Sequence, residues 1–278
     1  MNLTFQLNYR AEWGQTLCLI ETQNALLGWT PKHPLCLNCQ GSDFWTITVP
    51  VTDFAGEITY KYAILHTDGH LVYEAGKDRV IHLQAADKRL IIRDFWQVND
   101  YEKAFYSTTF QQALFRRIKP AKQKAAQGNI PFSVNSPQVL PSQGVAVVGN
   151  IPELGGWDVN EKLILSDADF PIWRADISVK NADVIEYKYL IYDLHSGAVV
   201  DMEYGENRQI WGIEKNAVIM QNDRSFRRTQ PKWKGSGVAV PVFSLRTDDD
   251  FGIGEFLDLK KMADWAAITG QQMIQTLP

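Results

Sequence analysis

Trp29, Lys61, Tyr73, Glu74 and Asp78 are residues whose types could act together in this 278-residue chain. Two flat aromatic rings can lie on the apolar C–H face of a ring-shaped ligand, while a lysine and two carboxylates bond its polar rim. A pyranose sugar offers that combination of face and rim. Each residue also has a plainer reading: Trp29 as a core tryptophan, and Glu74 with Arg79 as a surface ion pair. Recurrence weakens the plainer reading. Gly28-Trp29 returns as Gly156-Trp157 and Trp45 as Trp173, both 128 positions later. Thr59-Tyr60-Lys61-Tyr62 returns 127 positions later as Glu186-Tyr187-Lys188-Tyr189, and Tyr73-Glu74-x-Gly76-x-Asp78-Arg79 returns 129 later as Met202-Glu203-x-Gly205-x-Asn207-Arg208. Two copies of one module are present.

The elements that must hold these residues read as short strands. Leu3–Leu7, Trp45–Val49 and Ile185–Tyr189 alternate with period two, which predicts a mainly β fold: two tandem immunoglobulin-like antiparallel β-sandwiches of about 100 residues each. In the Tyr-Lys-Tyr strands the tyrosines share one face and the lysine takes the other, so Lys61 and Lys188 are expected to face solvent or ligand. The boundaries fall at 1–96 for the first module, 97–127 for a linker with one helical stretch over Tyr101 to Phe115, and 128–228 for the second module. The linker's basic run from Arg116 to Lys124 reads as solvated. Over 229–278 the pattern changes: Gly237–Val242 is a continuous apolar run that suits a strand buried on both faces. Phe256, Leu259, Ala263 and Ala266 have helical spacing, Gly270 stands where a C-terminal cap belongs, and Met273–Leu277 begins another strand. One βαβ unit cannot cover its own faces, so the sequence is read as ending early in a larger α/β domain.

Composition excludes several classes. A formal net charge of -4 does not suit a phosphate-binding surface, so no nucleic-acid partner is expected. No run approaches a membrane span and no leader-like segment opens the chain; the expectation is a cytoplasmic protein with no membrane partner. Cys18, Cys36 and Cys39 are an odd number in one region, read as reduced thiols rather than a disulfide framework. The lone CxxC of Cys36 and Cys39 lacks a second pair, so no metal and no cofactor is implied. Asp248, Asp249 and Asp250 precede a glycine-rich turn and a helix; they suit the helix N-terminus and solvent, and no catalytic residue is assigned.

The most specific string is Gly149-Asn150-Ile151-Pro152-Glu153-Leu154-Gly155-Gly156-Trp157-Asp158. With the later Glu-Tyr-Lys-Tyr and Glu203-x-Gly205-x-Asn207-Arg208 it resembles carbohydrate-binding module family 20, the starch-binding domain, over nearly all of the second copy. The resemblance implies an α-glucan partner and carries that family's first sugar site to Trp157, Lys188, Glu203 and Asn207. Met202 stands where the family has a second aromatic plate, and a thioether is a floppier surface. The first copy resembles the family more loosely, with Glu21-Thr22-Gln23-Asn24-Ala25 in place of the Asn-Ile-Pro-Glu string, but it keeps Trp29, Tyr73, Lys61, Glu74 and Asp78. It is therefore expected to be the better binder. The family's second site maps to Trp13 and Trp45; Pro141 stands near the place of Trp13 in the second copy, where Trp173 is kept. Trp45 and Trp173 read equally well as core residues.

The C-terminal segment, with Gly237–Pro241, Phe251-Gly252-Ile253-Gly254-Glu255 and Gly270-Gln271-x-x-x-Gln275-x-Leu277-Pro278, resembles the start of glycoside hydrolase family 77, the 4-α-glucanotransferases. That resemblance implies the first βαβ unit of a TIM barrel, and a full-length protein that transfers α-1,4-glucan segments by a retaining mechanism with carboxylates on later barrel strands. A chain ending at Pro278 is then expected to bind and not to catalyse. A non-catalytic glucan-binding or scaffolding protein is the alternative. An appended amylase or glucoamylase fits the module order less well.

Overall fold

Leu3, Phe5 and Leu7 are almost completely buried, as period-two alternation in a half-covered strand requires. In the computed structural model this alternation repeats through both copies, which are described except for residues 24–26, 42, 52–55, 84–88, 99–106, 110–127, 181, 214–216, 229–234 and 278. The helical stretch expected over Tyr101 to Phe115 falls, apart from 107–109, outside the described residues. By contacts the chain divides into Met1–Thr229 and Gln230–Pro278.

The first copy supplies β1 (Asn2–Asn8), β2 (Thr16–Gln23), β3 (Leu35–Cys36), β4 (Asn38–Gln40), β5 (Phe44–Pro50), β6 (Gly56–Leu65), β7 (Leu71–Tyr73), β8 (Arg79–Leu83) and β9 (Arg89–Phe95). The second supplies β10 (Ile130–Asn135), β11 (Gln143–Gly149), β12 (Leu163–Ile164), β13 (Ser166–Asp169), β14 (Ile172–Ile177), β15 (Val184–Asp193), β16 (Val199–Met202), β17 (Arg208–Trp211) and β18 (Ala217–Asp223). Each copy is a β-sandwich. Its outer sheet is β3-β2-β6-β7 with β8 beside β6 in the first, and β12-β11-β15-β16 with β17 beside β15 in the second. Their inner layers are one continuous eight-stranded sheet, ordered β13-β14-β10-β18-β9-β1-β5-β4.

That order is the same read from either end, once copies are exchanged. At its centre β9 and β18 run parallel, Leu90 opposite Val218 and Ile92 opposite Met220, one position out of step with the repeat, in which Arg79 and Asp94 answer to Arg208 and Asp223 129 positions later. With that one-position slip, a local two-fold axis along the strands relates the two copies. Antiparallel pairing, the expectation from sequence, holds through both outer sheets, but β1 with β9 and β10 with β18 are parallel as well. The first and last strands of each sandwich enter the same layer in the same direction, and the joint between copies repeats that arrangement. Alternation then divides the central strands between two cores. Leu90 and Ile92 lie in the first core, whereas Ile91 lies in the second with Ala217 and Ile219; Val218 and Met220 pack on the first. Each buried isoleucine is worth about 1.5–3 kcal/mol of apolar transfer.

In Gln230–Pro278, β19 (Gly237–Pro241) pairs parallel with β20 (Met273–Leu277) through α1 (Asp258–Ile268), the βαβ unit read from the sequence. Two details differ. β19 is half-buried rather than buried on both faces, because a two-stranded ribbon and a single helix cannot cover it. Phe256 precedes the helix and is exposed, while Ala266 is buried. Asp258 organises the helix start, accepting bonds from the Glu255 amide at 2.7 Å and the Thr247 hydroxyl at 2.7 Å. Gly270 ends the helix with φ +71°, as expected for a residue in the left-handed region. Among the described residues no helix is long and apolar enough to cross a membrane.

Candidate carbohydrate-binding faces

Under each outer sheet lies a buried ionic cluster, and it decides what Glu74 and Glu203 do. Arg208 reaches Glu203 at 2.7 Å and Asp223 at 2.8 Å, and the hydroxyls of Tyr187 and Tyr189 both donate to Asp223 at 2.8 Å. In the first copy Arg79 reaches Glu74 at 3.0 Å and Asp94 at 3.2 Å, with the Tyr60 and Tyr62 hydroxyls on Asp94. Burial opposes the Arg208 charge, yet Glu203 and Asp223 more than restore it and raise its pKa. Burial likewise pushes Glu203 up, but the Arg208 bonds and charge, then Arg227, hold it below the ordinary 4.5. Glu74 and Glu203 are 2 % and 3 % exposed. They are not sugar-rim partners as expected, because both are buried and committed to an arginine and to backbone amides, Tyr62 N–H for Glu74 and Tyr189 N–H for Glu203. The ion pair expected on the surface is an interior one.

The outward side of β15 carries Glu186 and Lys188, because Ile185, Tyr187 and Tyr189 point into the core. Asn207 donates to Glu186 at 3.1 Å and Gln209 donates to its other oxygen at 2.9 Å, making a polar patch beside Lys188. The turn that carries Trp157 leaves β11 next to this patch: Asn150 accepts from the Glu186 amide at 2.9 Å and donates to the Val184 carbonyl at 3.2 Å. That turn is tightly wound, with Gly155, Gly156 and Trp157 at φ +78°, +56° and +70°. At Gly155 a Cβ would lie 2.8 Å from the Glu161 carbonyl oxygen, so only glycine fits. Left-handed φ is uncommon for an aromatic residue, and here it accompanies a ring that is 39 % exposed. Glu186 was not singled out from the sequence, although period two puts it on the Lys188 face. Met202 packs with Val159 against Ala146, Val148, Leu190 and Tyr192. Its contacts are to protein.

The first copy presents a different face. Tyr73 is 42 % exposed and lies opposite Ala63, on the same side of the outer sheet as Lys61. Lys61 is engaged within the protein, donating to the Gly76 carbonyl at 3.0 Å and standing 3.4 Å from Asp78. Trp29 takes the core alternative: it is 6 % exposed and meets Phe5 edge-on at 5.7 Å. The Glu21 carboxylate accepts from the Leu27 and Trp29 amides and draws this segment inward. Thr59 occupies the place of Glu186. Trp45 and Trp173 are also core residues, their indole N–H groups donating to the carbonyls of Tyr9 at 2.9 Å and Ser136 at 3.0 Å. Trp13 is fully exposed. The structure therefore does not bring Trp13 and Trp45 together as a second aromatic pair on the surface.

Cys36 and Cys39 lie in different sheets, β3 in the outer and β4 in the shared, so the CxxC spans a strand switch; Cys36 instead stands opposite Cys18. Among the described residues no group of His, Cys, Asp or Glu is placed to hold a metal ion. Asp250 accepts from the Thr247 and Gly252 amides, and Asp249 pairs with Lys261 at 2.6 Å. A groove of about 940 Å³ follows the junction of the two copies, lined by Asp78, Asn135, Arg174 and Asn222 among others, but neither Tyr73 nor Trp157 lines it.

Each of the twin sandwiches turns an aromatic ring, a lysine and an amide or carboxylate outward, the residue types that a sugar's apolar face and polar rim would need. The chain belongs to the starch binding domain family, whose model matches residues 1–91 and 127–220. A second family model, 4-alpha-glucanotransferase, matches residues 240–278. The rice (Oryza sativa subsp. japonica) 4-alpha-glucanotransferase DPE2 is 31% identical over 301 residues, covering 100% of this chain and 31% of the rice protein. A 4-alpha-glucanotransferase of Chlamydia trachomatis is 54% identical over 50 residues, 18% of this chain and 9% of that one. A cyclomaltodextrin glucanotransferase of Klebsiella oxytoca is 30% identical over 82 residues, 29% of this chain and 12% of that one. The chain thus spans under a third of the length of these relatives.

Proposed function

We propose that this chain is the α-glucan-binding region of a cytoplasmic 4-α-glucanotransferase, and that it tethers the enzyme to glycogen, starch or maltooligosaccharides. The starch binding domain match over both sandwiches and the 4-alpha-glucanotransferase match over 240–278 support the pairing of functions. Transfer of α-1,4-glucan segments by a retaining mechanism belongs to the whole protein. The chain itself binds. Three free cysteines suit a reducing compartment.

The outer face of the second sandwich carries the reading. Trp157 offers an exposed plate, and Glu186, Lys188 and Asn207 offer a carboxylate, an ammonium and an amide for sugar hydroxyls. In the first sandwich Tyr73 is the plate, with Lys61 and Asp78 as polar partners, and Trp13 is a separate exposed ring. Because Trp29 is buried and Lys61 is already bonded, the second sandwich is the stronger binder, the reverse of the ranking drawn from the sequence. Calorimetric titration with β-cyclodextrin tests this. Trp157→Ala should weaken the tighter site at least tenfold, about 1.4 kcal/mol or more. No heat from the wild-type protein would sink the reading, and an unchanged tight site in Trp157→Ala would sink the ranking.

A further inference from the structure

The two candidate faces point away from each other. Leu90, Ile92, Val218 and Met220 meet the first core, and Ile91, Ala217 and Ile219 meet the second. The outer sheets therefore cover opposite faces of the shared sheet. Packed sheets stand about 10 Å apart; the first outer sheet lies over the β9-β1-β5-β4 half of the shared sheet and the second over the β13-β14-β10-β18 half from the other side, so the two heads are offset along the sheet as well as set on opposite faces. Lys61 and Lys188 sit on β6 and β15, the central strands of those outer sheets, on the side away from the cores. The β9–β18 ladder fixes this arrangement, and side chains reinforce it. Asn222 donates to Asp94 at 2.8 Å while accepting from Ser133 at 2.7 Å, and Arg93 donates to the Trp211 carbonyl with its guanidinium 5.5 Å from that indole ring.

Resting on the glucan-binding reading above, we propose that the sandwich pair is a rigid two-headed unit that bridges separate α-glucan chains. Modules on a flexible tether could both turn to one chain and gain through effective concentration. Heads fixed back to back on one sheet cannot share a short oligosaccharide. Offered a branched polymer with many chains, each head takes its own, and polymer particles become cross-linked.

The test uses the full chain with β-cyclodextrin and with glycogen. Calorimetry should give about two cyclodextrins per chain, each head binding independently. Light scattering of a glycogen solution should rise as protein is added, fall again at protein excess when every head finds its own particle, and collapse on adding β-cyclodextrin. Tyr73→Ala and Trp157→Ala should each weaken one of the two cyclodextrin sites at least tenfold, leave the other unchanged and abolish the rise. Two titratable sites with flat scattering would overturn the bridging proposal, as would a wild-type stoichiometry of one, or scattering that survives loss of a head. Absence of any cyclodextrin heat overturns the glucan-binding reading itself, so the two failures are distinct.

Discussion

At Trp157 the chain holds three successive left-handed residues, and the ring at the end of that turn is exposed; at Trp29 the Glu21 carboxylate pulls the backbone inward, and the ring is buried against Phe5. Equivalent tryptophans in one repeat thus fill opposite environments. Trp29→Ala should behave as a core truncation, costing about 3–5 kcal/mol of stability while leaving the second sandwich's cyclodextrin affinity within about twofold. Thermal melts and calorimetry of the same variant check both halves, and a variant with unaltered melting temperature but lost binding would reverse the assignment. The recurrence of Gly-Trp and of Tyr-Lys-Tyr was legible in the sequence, and with it the outward direction of Lys61 and Lys188. Which tryptophan stacks was not. That depends on a carboxylate eight residues away and on turn geometry, neither of which residue type or period encodes. Glu186 shows the opposite case, since strand alternation alone places it beside Lys188.

Among the elements, the outer sheets depend on what the shared strands supply to them. Arg208 opens β17, Asp223 closes β18, and Glu203 follows β16, so one ionic cluster ties the last strands of the sandwich together. Removing one member leaves the others buried without their partner, a loss of about 3–5 kcal/mol for Glu203→Gln. Its pH dependence has a definite sign. Burial raises the Glu203 pKa, and the bonds and charge of Arg208 and Arg227 outweigh it, leaving the folded value below 4.5. A depressed carboxylate contributes stability above the unfolded value and loses it as pH falls from there through the folded value. The melting temperature should therefore decline as pH drops below about 4.5, and Glu203→Gln should melt lower at neutral pH with a shallower acid limb. Equal acid slopes in the two proteins would refute the assignment. Strand positions were readable from period two, but the parallel ladders were not, because alternation is the same whichever way the neighbour runs.

At the scale of the whole sandwich pair, contacts group Met1–Thr229 into one compact unit. Ile91 belongs to the first copy by sequence and to the second core by contact, at 3 % exposure. Ile91→Ala should cost about 2–5 kcal/mol, and the cost must fall on both sandwiches because β9 is a central strand of the sheet they share. Calorimetry should show one transition for the pair, shifted as a unit in the variant. Amide exchange should speed up in β11 and β15 of the second outer sheet as well as in β2 and β6 of the first. Two separable transitions, with only one moved by Ile91→Ala, would mean that the shared sheet does not couple the modules. A joint able to open in that way could not hold two binding faces back to back, so this measurement also bears on whether glucan chains can be bridged.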